Sequence, residues 1–374
     1  MLNHGSKALL GLAGVTMAFG LAACGSDESS DSGSSSSGDS GGSGKIALLL
    51  PESKTTRYES QDKPLFEAKV KELCSGCEVL YSNADQDASK QQQQAEAAIT
   101  NGAKVLVLDP VDADSAGAIV KRAQESDIKV ISYDRLIGGG SKPDFYISYD
   151  NAKVGELQAT SLVEQLGGTD GVKGKQIVMI NGAPTDSNAG LFKKGAHSVF
   201  DKSGVKIGKE YDTPDWSPDK AQDEMDQAIT SLGKDKIDGV YAANDGTAGG
   251  AIAAMKAAGM DPTKVPSTGQ DAELAGVQRV LAGEQGMTVY KAIKPEAGDA
   301  ATLAVALVQG KEAPSGLVNG KQNNGTADIP AIIYQPQAVT KDNVKDTIVA
   351  DGFWKVDELC TSAYADACKA AGIS

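Results

Sequence analysis

The chain has 374 residues, with 50 acidic side chains against 36 basic ones and a formal net charge of -14. That balance speaks against nucleic acid as a partner, because phosphate binding needs basic patches. Aromatic residues make up only 5% of the chain and there are five cysteines, so each of these residues is informative where it falls.

The N-terminus carries Lys7, then a small and apolar stretch over 8–20, then Leu21-Ala22-Ala23-Cys24. A charged start, a short apolar core and small residues before a break describe a secretory signal. The stretch is shorter than the roughly 20 residues needed to span a bilayer. Its ending has the form of a lipobox, in which Cys24 is acylated and becomes the new N-terminus; the plainer alternative is a signal peptide with a chance cysteine. Segment 25–44 is Ser, Gly and Asp with scarcely an apolar side chain, too polar to offset the entropy of ordering. It reads as a tether that lets a folded body sit clear of a membrane.

The body begins with Lys45-Ile46-Ala47-Leu48-Leu49-Leu50, an apolar run suited to a strand buried on both faces of a parallel sheet. Helix 62–73, strand 78–81, helix 88–101, strand 105–108, helix 116–126 and strand 130–133 follow. The rhythm restarts after Asp150 with helix 154–166, strand 177–180, helix 190–200 and strand 205–207. Helix 220–232, strand 239–242 and helix 248–258 come next, then strand 287–290 and helix 295–308. Strands alternating with helices specify doubly wound α/β units, and the length past residue 44 suits two of them.

In open α/β sheets, ligands bind beyond the carboxyl ends of the strands. Those positions here hold Arg57 and Tyr58, Asp109, Asp134 and Arg135, Asp150 and Asn151, Asn181, Asn244 and Asp245, Gln270 and Asp271, and Lys291. Planar carboxylate, amide and guanidinium groups make paired hydrogen bonds to hydroxyls, and an aromatic plate suits the apolar face of a sugar ring. The candidate ligand residues are Arg57, Tyr58, Asp134, Arg135, Asp150, Asn151, Asn188, Trp216, Asn244, Asp245, Asp271 and Lys291, with Tyr58 and Trp216 as the plates. Trp216 lies in the loop Pro214-Asp215-Trp216-Ser217-Pro218, where an indole has little structural reason to be buried. Strand-end Asp and Asn also cap following helices, and Asn244-Asp245-Gly246-Thr247 leaves open which of the first two caps and which binds.

Four cysteines remain beside Cys24. Cys74 and Cys77, with Cys360 and Cys368, read most simply as two local disulfides in an exported chain. The rival for Cys74-Ser75-Gly76-Cys77 is a redox motif or half of a zinc site. His197 is the body's single histidine, which argues against a Ser-His-Asp triad or a histidine metal site. Gly138-Gly139-Gly140 lacks the spacing of a dinucleotide fingerprint, and the run from Asn83 lacks the glycine and glutamate of a calcium loop. No cofactor or metal is expected. Two carboxylates near a sugar could serve a glycosidase, but the surplus of Arg, Lys and Asn suits holding hydroxyls.

Several motifs together resemble the periplasmic sugar-binding proteins of ABC transporters, with the type I fold, from about Lys45 to Asp357. They are Tyr133-Asp134-Arg135-Leu136-Ile137, Phe145-Tyr146-Ile147-Ser148-Tyr149-Asp150-Asn151 and Val154-Gly155-Glu156-Leu157-Gln158-Ala159. Asn244-Asp245-Gly246-Thr247-Ala248-Gly249-Gly250, Gly269-Gln270-Asp271-Ala272, Met287-Thr288-Val289-Tyr290-Lys291, Asn323-Asn324-Gly325 and Ile348-Val349-Ala350-Asp351-Gly352-Phe353 extend the match. The branch that binds D-xylose is the most similar, although Tyr58 stands where that branch has Trp.

The resemblance implies two doubly wound parallel-sheet lobes joined by a three-strand hinge and closing on a monosaccharide, D-xylose first. The expected boundaries are a signal over 1–24, a tether over 25–44, a first lobe over 45–149 with 272–324, a second lobe over 150–271 with 325–357, and a tail over 358–374. It further implies a binding protein and not an enzyme, monomeric, extracytoplasmic, held to the membrane by its lipid alone and delivering sugar to an ABC permease. A sensory binder that presents its closed form to a receptor is the alternative. A transcription regulator of this fold would need a DNA-binding helix pair where the signal and tether lie.

Overall fold

Along the first strand of the body the side chains alternate between two buried layers. Ile46, Leu48 and Leu50 face one layer and Ala47 and Leu49 the other, all at most 1% exposed. A strand covered on both sides needs helices above and below, and the computed structural model, which describes residues 43–373, supplies them. Helices Lys63–Leu73 and Ile293–Val308 cover one face, and Ala88–Thr100 and Gly117–Gln124 the other.

This first sheet contains β1 (Lys45–Leu50), β2 (Glu78–Asn83), β3 (Ala103–Leu108), β4 (Lys129–Tyr133) and β5 (Phe145–Tyr149). The second sheet is built on β6 (Gln176–Asn181), β7 (Lys206–Asp212) and β8 (Gly239–Ala242), in the order β7-β6-β8 and all parallel. Its two faces are covered by Asn151–Gln165 with Ser187–Ser203, and by Pro218–Leu232 with Asp245–Ala257. Beyond β8 the sheet continues through a Val240–Ser267 bridge and then through β9 (Thr288–Tyr290), whose Val289 bonds the backbone on both sides of Gln270.

The remaining strands are β10 (Gly320–Asn323), β11 (Asp328–Tyr334) and β12 (Gln337–Val339). β10 and β11 form an antiparallel pair on the edge of the first sheet, giving the order β10-β11-β5-β4-β3-β1-β2. β12 pairs with β9.

These pairings correct two expected boundaries. Asp271 N–H bonds Val289 O at 2.9 Å, so the chain does not leave the second lobe near Asp271; it leaves after Tyr290. The last crossing falls after Tyr334 rather than near Asn324, because β11 pairs with β5 as far as Tyr149. The three crossings are tied together by one side chain. Tyr149 donates its phenol to Ala292 O at 2.6 Å and its ring lies 5.5 Å from that of Tyr334.

Disulfides join Cys74 to Cys77 and Cys360 to Cys368, the two local pairs expected. The tail is not an appendage: Leu359, Cys368 and Ile373 are buried in the hydrophobic cluster that also holds β1 and Ile293–Val308. Cys24 and the tether through Gly42 lie outside the described residues. Among the described residues no helix is long and apolar enough to cross a membrane.

Candidate functional site

The carboxyl ends of both sheets face one cleft. Thr55, Arg57 and Tyr58 reach it from the loop after β1, and Asp134 and Arg135 from the end of β4. From the other side come Asp186, Asn188 and Phe192 after β6, Trp216 after β7, Asn244 after β8, and Gln270, Asp271 and Lys291 from the segments flanking β9. The space between them is small and tightly lined, about 240 Å³ counted together with the solvent it opens onto.

Asp134 is the centre of the site. Its backbone turns left-handed at φ 54° directly after β4, which aims the carboxylate inward instead of along the strand. Tyr58 O–H donates to it at 2.9 Å, Arg57 pairs with it through a terminal guanidinium nitrogen, and Lys291 Nζ stands 3.7 Å away. Burial would raise its pKa, but Arg57, Lys291 and Arg135 together outweigh that and hold the group below the usual carboxylate range. Asp134 is therefore ionised.

Two further ionic groups complete the floor. Arg57 also donates to Asp62 at 2.7 Å and lies 3.3 Å from Asp271, which is 3.1 Å from Lys291. Arg135 lies 3.0 Å from Asp186 and 3.5 Å from Asp109. Burial is the largest influence on Asp186 and raises its pKa, with Arg135 opposing it. Both guanidinium groups pass over the Tyr58 ring, at 4.5 and 5.8 Å from its centre, so this tyrosine is a cation-holding plate as well as a donor. Burial raises its own pKa, and the phenol stays protonated.

Trp216 is buried, contrary to the reading of its loop as a place without structural demand. Its indole N–H donates to Asp186 at 3.1 Å and its ring meets Phe192 edge to face at 6.3 Å. Residues 215 and 216 both take left-handed backbone, at φ 60° and 52°, and a Cβ on Gly182 would sit 2.0 Å from the indole. Position 182 must be glycine for the ring to lie there.

Three predicted residues lie outside the cleft lining. Asp150 caps helix Asn151–Gln165, accepting from Lys153 N–H at 3.0 Å. Asn151 stands behind the site, donating at 2.8 Å to Asn188, which in turn bonds the Asp134 carbonyl at 3.0 Å. Asp245 is fully buried among Gln285, Thr288 and the Glu273 backbone. Asn244 both caps, in a reciprocal pair with Thr247, and lines the cavity. Asp186, Gln270, Thr55 and Phe192 line it and were not among the predicted residues.

Charge and hydrogen bonding limit what the cleft can hold. Its lining carries three carboxylates, Asp134, Asp186 and Asp271, and three cations, Arg57, Arg135 and Lys291. They already compensate one another, so a charged ligand would leave an unpaired buried charge. Yet Gln270 Oε1 is buried without a hydrogen-bond partner, and Arg57 Nε, Arg135 Nε and Asp271 Oδ1 are held by ion pairs of 3.0–3.3 Å without hydrogen-bond geometry. Donors and acceptors left short of hydrogen bonds side by side suit hydroxyls, which both donate and accept. The lobes also touch directly across the cleft: Leu136 N–H bonds Ser187 Oγ and Ala113 N–H bonds Thr185 O.

Fold and cleft together define a two-lobed solute-binding protein closed over its site. Residues 46–312 match the periplasmic binding protein domain, and the chain belongs to that family. It is 39% identical to the D-xylose-binding periplasmic protein of Escherichia coli, over 84% of this chain and 92% of that one. It is 32% identical to the multiple sugar-binding periplasmic receptor ChvE of Rhizobium radiobacter, over 84% of this chain and 92% of that one. Among solved structures, an ABC transporter solute binding protein from Clostridium phytofermentans with bound β-D-glucose superimposes with a TM-score of 0.76. That pair is 29% identical and covers 84% of this chain and 99% of the other. These relatives are binding proteins and not enzymes.

Proposed function

We propose that the protein captures one neutral monosaccharide between its lobes, D-xylose first, and delivers it in the closed form to an ABC transporter permease. The observation that carries the reading is the cleft's balance of charge combined with donors and acceptors left short of hydrogen bonds. Trp216 and Phe192 supply the apolar wall that a sugar's C–H face needs. Arg57, Tyr58, Asp134, Arg135, Asn188, Trp216, Asn244, Asp271 and Lys291 are the assigned ligand residues, with Asp186 and Gln270 added; Asp150, Asn151 and Asp245 support them from behind. The 39% identity to a D-xylose-binding protein favours xylose among sugars.

The mechanism is a shift of population. Sugar bridges Asp134 and Arg135 on one lobe to Asn188 and Trp216 on the other, so only the closed arrangement collects both sets of bonds. Residues 1–24 direct export, Cys24 carries the lipid, and 25–44 tether the body outside the cell membrane as a monomer. A receptor would serve as the alternative recipient of the closed form, a reading favoured by the relative named as a multiple sugar-binding receptor.

A thermal-shift and calorimetric panel of xylose, arabinose, ribose, glucose and galactose tests the ligand. Tight binding of xylose supports the reading, preferred binding of glucose moves it to hexoses, and binding of none of them ends it. Labelling with a radioactive fatty acid, lost in Cys24→Ser, tests the anchor. Xylose uptake abolished by deletion of the gene separates transport from sensing.

A further inference from the structure

The segment Asp351-Gly352-Phe353-Trp354, just before the tail, touches the immediate neighbours of three ionic residues: Asp271 and Lys291 of the cleft, and Asp62, the partner of Arg57. Trp354 donates its indole N–H to the carbonyl of Ala272 at 2.7 Å, one residue beyond Asp271. Phe353 packs edge to face on Tyr290 at 5.1 Å, and the Tyr290 phenol bonds Asp351; Tyr290 immediately precedes Lys291. The carbonyl of Phe353 accepts from Gln61 Nε2 at 3.0 Å, and Gln61 precedes Asp62, the partner of Arg57. Arg57, Asp271 and Lys291 are themselves joined by ion pairs at 3.3 and 3.1 Å.

The contact with Ala272 matters most. Asp271 and Ala272 both hold left-handed backbone, at φ 87° and 48°. Two consecutive non-glycine residues persist there only when the surroundings impose it. On one side Asp271 N–H is fixed to β9, and on the other the Trp354 indole grips the next carbonyl. The tail is itself anchored: Gln278 donates to the carbonyls of Glu358 and Leu359 at 3.1 and 3.3 Å, and Cys360–Cys368 closes the turn beyond them.

We infer that segment 351–354 is a positioning element of the sugar site, with Trp354 fixing the carboxylate of Asp271 through the backbone of Ala272. The inference rests on the monosaccharide-binding reading above. It gives the C-terminal residues a role in affinity, although they lie outside the 46–312 family match.

The test is a double-mutant cycle in the full chain, with xylose and glucose as probes. Trp354→Phe keeps an aromatic ring, smaller than the indole, and removes the N–H; it is expected to weaken sugar binding roughly fivefold, the worth of one buried hydrogen bond, through faster release. In an Asp271→Asn background, the same change is expected to add less than twofold. Met255→Ala, in the core of the second lobe, is the comparison: it lowers Tm and leaves affinity unchanged. If Trp354→Phe fails to fold, Gln61→Ala cuts the half-buried bond to Phe353 and takes its place in the cycle. Unchanged affinity in the folded variant, or full additivity with Asp271→Asn, overturns the inference. Failure of the unmutated chain to bind any monosaccharide overturns instead the reading on which it rests.

Discussion

Arg135, at the end of the fourth strand of the first lobe, lies 3.0 Å from the carboxylate of Asp186, at the start of a helix in the second lobe. This ion pair spans the cleft, both partners are at most 5% exposed, and Asp186 also receives the Trp216 indole. One carboxylate therefore couples a cation on one lobe to the apolar wall on the other.

Removing that carboxylate is expected to cost more than one bond. Asp186→Ala leaves Arg135 buried with the more distant Asp109 as its ion-pair partner, and truncating one partner of a buried charge pair costs roughly 2–5 kcal/mol. Sugar affinity measured by calorimetry should fall accordingly, while far-UV circular dichroism stays that of the parent. Affinity within threefold of the parent would remove Asp186 from the site.

The chain has two tryptophans, and only Trp216 lines the cavity. Sugar is expected to change the intrinsic emission, and Trp216→Phe should abolish most of that change. Trp216→Phe retains apolar area but leaves Asp186 without its indole donor, so affinity should drop by about 1 kcal/mol or more. A full emission response in the variant would contradict the placement of Trp216 at the ligand.

Tyr149 ties the first crossing to the second by one hydrogen bond and to the third by ring contact. Tyr149→Phe keeps the ring contact and frees Ala292 O. The expected outcome is a larger open population without sugar, seen as a greater radius of gyration by small-angle scattering, and weaker apparent affinity. An unchanged radius would show that the hinge does not depend on this bond.

Stability should depend on pH through a buried acidic pair. Burial pushes Asp245 up to about 7, and burial with Asp245 alongside pushes Glu273 up to about 8. In the unfolded chain both titrate near 4, so between about pH 4 and 8 the folded state binds more protons. Stability from this pair is then fully present below about pH 4 and declines as pH rises through 7 to 8. Thermal melts of Glu273→Gln should show a shallower decline over that window; an identical slope would mean that the pair is ionised in the fold.

The lobes were legible because parallel strands buried on both faces are written as unbroken apolar runs. Lys45–Leu50 was read to the residue, and Gly239–Ala242 likewise. Gly320–Asn323 is polar and exposed on a sheet edge, and Thr288–Tyr290 is three residues long. Neither signals which sheet it joins, so the second and third crossings were misplaced.

In the cleft, cations and aromatics were the reliable markers, since Arg57, Arg135, Lys291 and Trp216 cannot be caps. Carboxylates and amides divided. Asp150 and Asp245 serve the scaffold, whereas Asp186, which does cap by accepting from Asn188 N–H, also faces the cavity. Gln270 stood at a strand end in the sequence and was left out of the ligand set. A capping role and a cleft role are compatible in one side chain, and periodicity does not separate them.

The mutual compensation of three cations and three carboxylates in the cleft suits a ligand without charge, and that has a kinetic consequence. A neutral sugar gives a long-range field nothing to pull on, so its encounter rate should be indifferent to ionic strength, and the buried pairs it meets are little screened once it has arrived. Capture would proceed alike in dilute and in saline surroundings, which a site that draws in a charged ligand could not offer.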